Sequence, residues 1–290
     1  MIVEGNYQLK RYKIIFHRFV RNKSFVIGFI IVFVFLILAL FPHCFTKYDP
    51  YVGDLAHSRL LPPSTINWLG TDALGRDLFT RIIYGAKFSL GIGLLSVSIS
   101  LILGSIIGII AGYCGKIIDE ILMRIIDIML AFPSILLAIL IVAILGPGLV
   151  NAMIAIGIVN TPIYARLVRS SVIVIRNQEY IAASTVIGSS PIRIIFTHII
   201  PNCLSPIIVQ TTLGIGTSVL ETAGLSFLGL GVQPPDPEWG SMLSTARDFI
   251  RSGPWTVTFP GLAIMFIVLG FNLMGDGLRD LLDPHTAKKL

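Results

Sequence analysis

Residues 179–202 read EYIAASTVIGSSPIRIIFTHIIPN, a polar stretch set between long apolar runs. Glu179 to Ile187 holds no helix breaker. It places Tyr180, Ala183, Ser184 and Ile187 at the i, i+3, i+4, i+7 spacing of one helical face. Gly188 can adopt the left-handed backbone that stops a helix. Ser190 then reads as an N-cap and Pro191 as the first residue of a second short helix, which Pro201 is expected to end. The segment is therefore a helix-turn-helix, and the small residues Ala183 and Ser184 let another surface approach its backbone closely. An interfacial helix lying in lipid headgroups would also be amphipathic. A DNA-reading role fails on charge, because Arg193 is the single Lys or Arg of the stretch, too little for a phosphate footprint. A docking element for a partner protein fits best.

The composition of the whole chain explains why a polar element matters here. Of 290 residues, 54% are hydrophobic and 13% charged, whereas soluble chains carry about 25% charged residues. A soluble domain is excluded. The length suits one membrane domain of several helices, with no room for a separate ATPase or solute-binding domain. The net charge of +6 requires no nucleic acid, since basic residues at cytoplasmic membrane edges give the same balance. Cys44, Cys114 and Cys203 are odd in number and far apart, so they form neither a disulfide framework nor a paired metal motif.

Working outward, residues 1–24 form a polar, basic arm carrying Lys10, Arg11, Lys13, Arg18, Arg21 and Lys23. Phe25 to Phe41 is apolar and near the roughly 17–25 residues that span a bilayer. The long basic region and the lack of a small-residue cleavage site before Asp49-Pro50 argue for a retained span rather than a signal peptide. Residues 48–87 are too rich in Asp and Arg for hydrocarbon and end in an amphipathic helix. A second span runs from about Phe88 to Tyr113, with Gly104, Gly108 and Gly112 forming a smooth face for close packing. Further spans are expected over about Ile117–Leu145 (Pro133 a kink), Leu149–Ile175 (interrupted by Pro162), Leu204–Leu230 and Thr256–Leu273. Residues 232–255 form a second polar segment.

This predicts an all-α integral membrane protein with six transmembrane helices in residues 25–290. With the N-terminus inside, 176–202 is cytoplasmic and 48–87 and 232–255 face out. Fifteen of the 22 Lys and Arg residues then fall on the inner side, as the positive-inside rule requires.

Residues that could carry chemistry are few. No zinc motif, nucleophile elbow or paired catalytic carboxylate is visible, so neither a catalytic residue nor a metal site is expected. GYCGKI, residues 112–117, superficially resembles a phosphate loop, but Ile110 stands where the first Gly belongs and Ile117 replaces Ser or Thr. Asp127 and Glu221 are the acids placed well inside the hydrocarbon, where ionisable groups are costly and by default functional. Each could line a pathway or hold a gate, or could pair with a basic or hydroxyl group and fix packing. His43, Cys44 and His57 lie outside without ligand spacing.

The 179–202 stretch resembles the cytoplasmic coupling loop, the EAA loop, of binding-protein-dependent ABC importers, through Glu179-Tyr180, Ala183, Gly188, Arg193, His198 and Pro201-Asn202. It departs where that family usually has Ala-Ala followed by Arg: Ala183 is followed by Ser184 and Thr185. LGTDALGRDLFTRIIYGAKFSL (69–90), AFPSILLAI (131–139), PIYARLVRS (162–170), SFLGLGVQPPDPEWGSML (226–243) and FNLMGDGLRDLLDP (271–284) extend the resemblance. Together they are similar to the second membrane subunit of the dipeptide, oligopeptide and nickel permease family, from about Arg18 to Pro284.

The resemblance implies the six-helix permease fold in a bacterial inner membrane, with both termini cytoplasmic. It implies pairing with a second homologous permease subunit, two ATPase subunits that bind ATP and magnesium, and an extracytoplasmic substrate-binding protein. Di- or oligopeptides are the expected cargo, with nickel or a metal chelate the alternative. A self-sufficient secondary transporter is the competing class. It predicts inverted repeats or an acid relay, and neither is evident.

Overall fold

The computed structural model describes residues 19–282. Residues 1–18 of the basic arm, and Lys288 and Lys289, lie outside the described residues. Apart from an isolated Thr71–Asp77 bridge, every regular element among the described residues is helical: α1 Lys23–Leu40, α2 Pro42–Phe45, α3 Leu78–Cys114, α4 Lys116–Ala131, α5 Ser134–Leu145, α6 Leu149–Arg176, α7 Glu179–Val186, α8 Pro191–Ile194, α9 Ile200–Phe227, α10 Trp239–Ala246 and α11 Trp255–Leu282. Five helical stretches are each long and apolar enough to cross a membrane: α1, α3, α6, the run from α8 through α9, and α11. The α4–α5 pair passes the same test together and is bent by 96°, giving five candidate spans, or six with the pair counted as one broken span.

The glycine stripe sets the core. An ideal Cβ on Gly108 would lie 2.6 Å from the Ala165 carbonyl oxygen, and one on Gly112 would lie 2.8 Å from the Val172 Cβ. Residue numbers rise together along this contact, so α3 and α6 run parallel, backbone against backbone, as small residues permit. A Cβ on Gly277 would meet the Phe25 Cα at 2.8 Å, and one on Gly28 would meet the Gly270 carbonyl oxygen at 2.6 Å. Thus α11 and α1 are antiparallel. These directions place residue 23, the 177–190 loop and residue 282 at one end of the bundle. The segments 46–77 and 228–254 share the other end.

The segments at that far end are locked to each other. Trp239, fully buried, donates from Nε1 to the Ile82 carbonyl at 3.0 Å and meets Phe35 edge-on at 5.6 Å. Trp255 Nε1 donates to the Thr71 carbonyl at 3.1 Å.

The structure corrects several expected boundaries. The expected second span begins ten residues earlier, because Asp77 caps α3 by accepting from Thr80 N at 2.8 Å and the amphipathic turn continues unbroken into the apolar run. The expected kink at Pro133 is a full break. Phe132 is extended, with ψ 139°, the conformation that a following proline favours. The last helix reaches Leu282, since GDGLRDLL carries no residue that stops it. Pro201 does not end the second loop helix. The five-residue π stretch Ile195–Ile199 precedes it, and this wider turn relieves the clash of a proline ring with the carbonyl four residues back. The chain is helical from Pro191 to Phe227.

Candidate functional site

The 177–202 loop follows α6 directly. Gly188 has φ +91°, and its neighbours satisfy the carbonyls at the end of α7. Ser189 N donates to the Ser184 carbonyl at 3.1 Å and Gly188 N to that of Thr185 at 3.0 Å, the paired bonds of a Schellman stop. Ser190 then accepts from Arg193 N at 3.4 Å, with Pro191 in the first turn of α8. The two short helices are set by local sequence.

Packing fixes which way the loop faces. Ile181 is 4% exposed and joins Val168, Val172, Ile194, Ile199 and Cys203 in one apolar cluster. Tyr180 meets the His198 ring edge-on at 5.8 Å, tying α7 to the π stretch. Asn202 Nδ2 donates to the His198 carbonyl at 2.7 Å, beside Pro201. Glu179, Tyr180, Ala183, Gly188, Arg193 and Pro201 are exposed, and Ser184 and His198 are half-buried.

Beside Ile187 of the expected face, at 84% exposure, two apolar side chains that periodicity did not group with it also stand out here: Val186 at 87% and Ile192 at 70%. They flank the Gly188 turn. Their signal in the sequence was apolar residues on both sides of a GSS stop, where a solvated turn would carry polar ones. The result is a protruding turn with an apolar tip over a small-residue face, a shape suited to a protein groove.

The two acids expected in the spans do not share a site. Asp127 on α4 accepts from Arg166 Nη2 on α6 at 2.6 Å, both half-exposed. Eight residues before Asp127, Asp119 accepts two hydrogen bonds from Arg169, one of them 2.6 Å from Nη2 to Oδ2. Asp127 thus joins Asp119 in pairing α4 with arginines of α6. Glu221 on α9 instead accepts from Asn160 Nδ2 on α6 at 2.7 Å, and no Lys or Arg pairs with it among the described residues. A neutral amide satisfies one lone pair and leaves the carboxylate without a counter-charge. Among the described residues no group of three His, Cys, Asp or Glu side chains is placed to hold a metal.

Residues 104–288 match the family described as binding-protein-dependent transport system inner membrane component. Residues 11–63 match the N-terminal TM domain of oligopeptide transport permease C. The dipeptide transport system permease protein DppC of Alkalihalophilus pseudofirmus is 57% identical, covering 93% of this chain and 88% of that protein. The protein of the same name from Escherichia coli K12 is 50% identical over 94% of this chain and 92% of that one. An inward-facing structure of the MetNI methionine ABC transporter superposes with a TM-score of 0.58, covering 71% of this chain and 98% of that one at 19% identity, a likeness of fold alone. With the all-helical bundle already described, these matches show that the chain belongs to the family of binding-protein-dependent transport system inner membrane components and is a multi-pass permease of an ABC importer.

Proposed function

We propose that this chain forms half of the translocation pathway for di- or oligopeptides and couples that pathway to separate ATPase subunits. The observation that carries the reading is the 57% identity to a protein named as a dipeptide permease, over 93% of this chain. A relative from Pseudomonas aeruginosa is named for di- and tripeptides, which favours peptides over nickel. The chain itself is non-catalytic. Its partners are a second homologous permease, two ATPase subunits holding ATP and magnesium, and an extracytoplasmic binding protein. It sits in a bacterial inner membrane with both termini in the cytoplasm.

ATP binding closes the ATPase dimer, and the Gly188 turn, seated in an ATPase groove, carries that movement to α6 and α9. The pathway then opens outward to receive a peptide, and hydrolysis returns it to the inward state. This requires the ATPases to bind the two permease states with different affinity. The test is uptake of a labelled dipeptide by proteoliposomes holding the full complex, with binding protein outside and ATP at the ATPase side. Peptide import that stops when this chain is omitted is expected; import of nickel in place of peptide would overturn the reading. Orientation is tested in whole cells lacking the native cysteines. An impermeant reagent is expected not to reach a Ser189→Cys variant, and labelling there would reverse the topology.

A further inference from the structure

At the end of the bundle opposite the Gly188 turn, segments 55–81 and 234–256 enclose a cavity of about 450 Å³, within the roughly 300–1,000 Å³ of small-molecule pockets. Leu78, Arg76, Arg81 and Met242 form its buried floor, and Leu55, Arg59 and Leu74 its exposed mouth. Three guanidinium groups line it against one carboxylate, that of Asp72.

The hydrogen bonds show what is left unmatched. Asp72 Oδ2 accepts from Arg76 Nε at 2.7 Å and stands 3.5 Å from Arg81 Nε. Arg81 gives its η nitrogens to the carbonyls of Pro50, at 2.7 Å, and Pro235, at 3.4 Å. Its Nε is buried with no hydrogen-bond partner. Arg81 therefore clamps two loops together. Arg76 is only 7% exposed, yet beyond Nε its guanidinium has no hydrogen-bond partner among the described residues. Arg59 lies over the Phe249 ring at 5.7 Å, and no carboxylate pairs with it among the described residues. Among the lining residues the guanidinium groups outnumber the carboxylates by two, with Asp236 acting on Arg81 from outside the lining, and the Arg76 Nη atoms reach open space. An anion entering the cavity would meet that excess and could pair with the accessible Arg76 nitrogens.

We propose that this cavity binds the carboxylate of a small organic anion and, given the peptide-import reading on which this assignment rests, the C-terminal carboxylate of a short peptide arriving from the binding protein. A planar carboxylate matches the free edge of the Arg76 fork. Arg59 closes over it from the mouth, and Leu74, Leu78, Met242 and Phe249 supply apolar surface for side chains.

The test uses the purified complex of both permeases and the ATPases in nanodiscs, without binding protein, observed by saturation-transfer NMR. The probes are dialanine, its C-terminal amide and acetate. Dialanine is expected to bind and to be displaced by excess acetate, with the amide weaker by about tenfold. Arg76→Gln and Arg59→Gln should each weaken dialanine by a similar factor, and Arg59→Lys should recover part of it. The exposed Arg59 variants guard against a folding defect at the buried Arg76. Equal binding of acid and amide, or wild-type affinity in both glutamine variants, would overturn the site. Acetate binding without dialanine binding would overturn the peptide assignment. Dipeptide uptake by the wild-type complex is measured separately: its absence would sink the functional reading, while the NMR result still decides whether the cavity binds a carboxylate.

Discussion

Asn160 donates its side-chain amide to the carboxylate of Glu221 across 2.7 Å, joining α6 to α9 inside the bundle. Among the described residues no Lys or Arg joins the pair, so its worth lies in the carboxyl oxygen that the amide leaves uncovered. Glu221→Gln keeps a hydrogen-bonding partner for Asn160 and removes the capacity to ionise. It is expected to assemble normally yet lose most peptide uptake or alter basal ATP hydrolysis. Asn160→Ala strands the carboxylate and should cost about 1–3 kcal/mol of stability, seen as a lower melting temperature. Wild-type transport and ATPase rates in a well-assembled Glu221→Gln complex would reduce the pair to packing.

At Gly188 an added Cβ would meet nothing within 4 Å, so the cost of substitution is purely backbone. A residue with a Cβ in that left-handed conformation loses about 1–2 kcal/mol, enough to reshape the turn without disturbing the spans. Gly188→Val, or Ala183→Arg on the small face, should leave the two permeases paired. Co-purification of the ATPases and substrate-stimulated hydrolysis should both fall. Retained ATPases with lost binding of the extracytoplasmic protein would place the coupling function elsewhere.

Gly108 presents the opposite case. Its ideal Cβ lies 2.6 Å from the backbone oxygen of Ala165, which cannot swing aside as a side chain can. Gly108→Val should therefore sit at or above the upper end of the ~1–3 kcal/mol typical of overpacking. Yield of folded subunit is the readout. Gly91→Val, at a helical position where a Cβ meets nothing within 4 Å, serves as the control and should express normally.

Glu238 is a pH prediction. Its carboxylate caps α10 by accepting from Gly240 N at 2.9 Å and Ser241 N at 2.8 Å. Burial pushes its pKa above the ordinary value, although those hydrogen bonds pull the other way. A raised native value means that the folded state holds the proton more tightly than the unfolded chain. The associated stability is present below the ordinary Glu value, about 4.5 or less, and is lost as pH rises through the native one. Thermal melts of the complex should show this loss from mildly acid to neutral pH, and Glu238→Gln should flatten it. An unchanged pH dependence in the variant would refute the assignment.

The sequence made the spans, their directions and the loop legible, because each is written in short-range signals: apolar runs, the glycine stripe, and Gly188 with Ser190-Pro191. It did not show how far Pro133 would break the chain, since a proline marks a boundary but not an angle, and neighbours set the 96° bend. Pro201 misled for a related reason. Proline forbids an ordinary helical turn, but a π stretch just before it removes the conflict. The Arg166–Asp127 and Asn160–Glu221 contacts join residues 39 and 61 positions apart, and no local pattern announces such pairs. The arginine-lined cavity was hidden likewise, assembled from two segments separated by most of the chain.

The unbroken helical run from Pro191 to Phe227 joins the exposed Gly188 turn and a candidate membrane span into a single arm. At about 1.5 Å per residue its 37 residues reach roughly 55 Å. A tilt of about 5° imposed at Ile192 would sweep the distal tip at Phe227 through roughly 5 Å. Glu221 rides on that arm within two turns of its tip, while Asn160 stays on the neighbouring helix. A small rotation of this arm relative to α6 is thus enough to draw the Asn160–Glu221 bond apart.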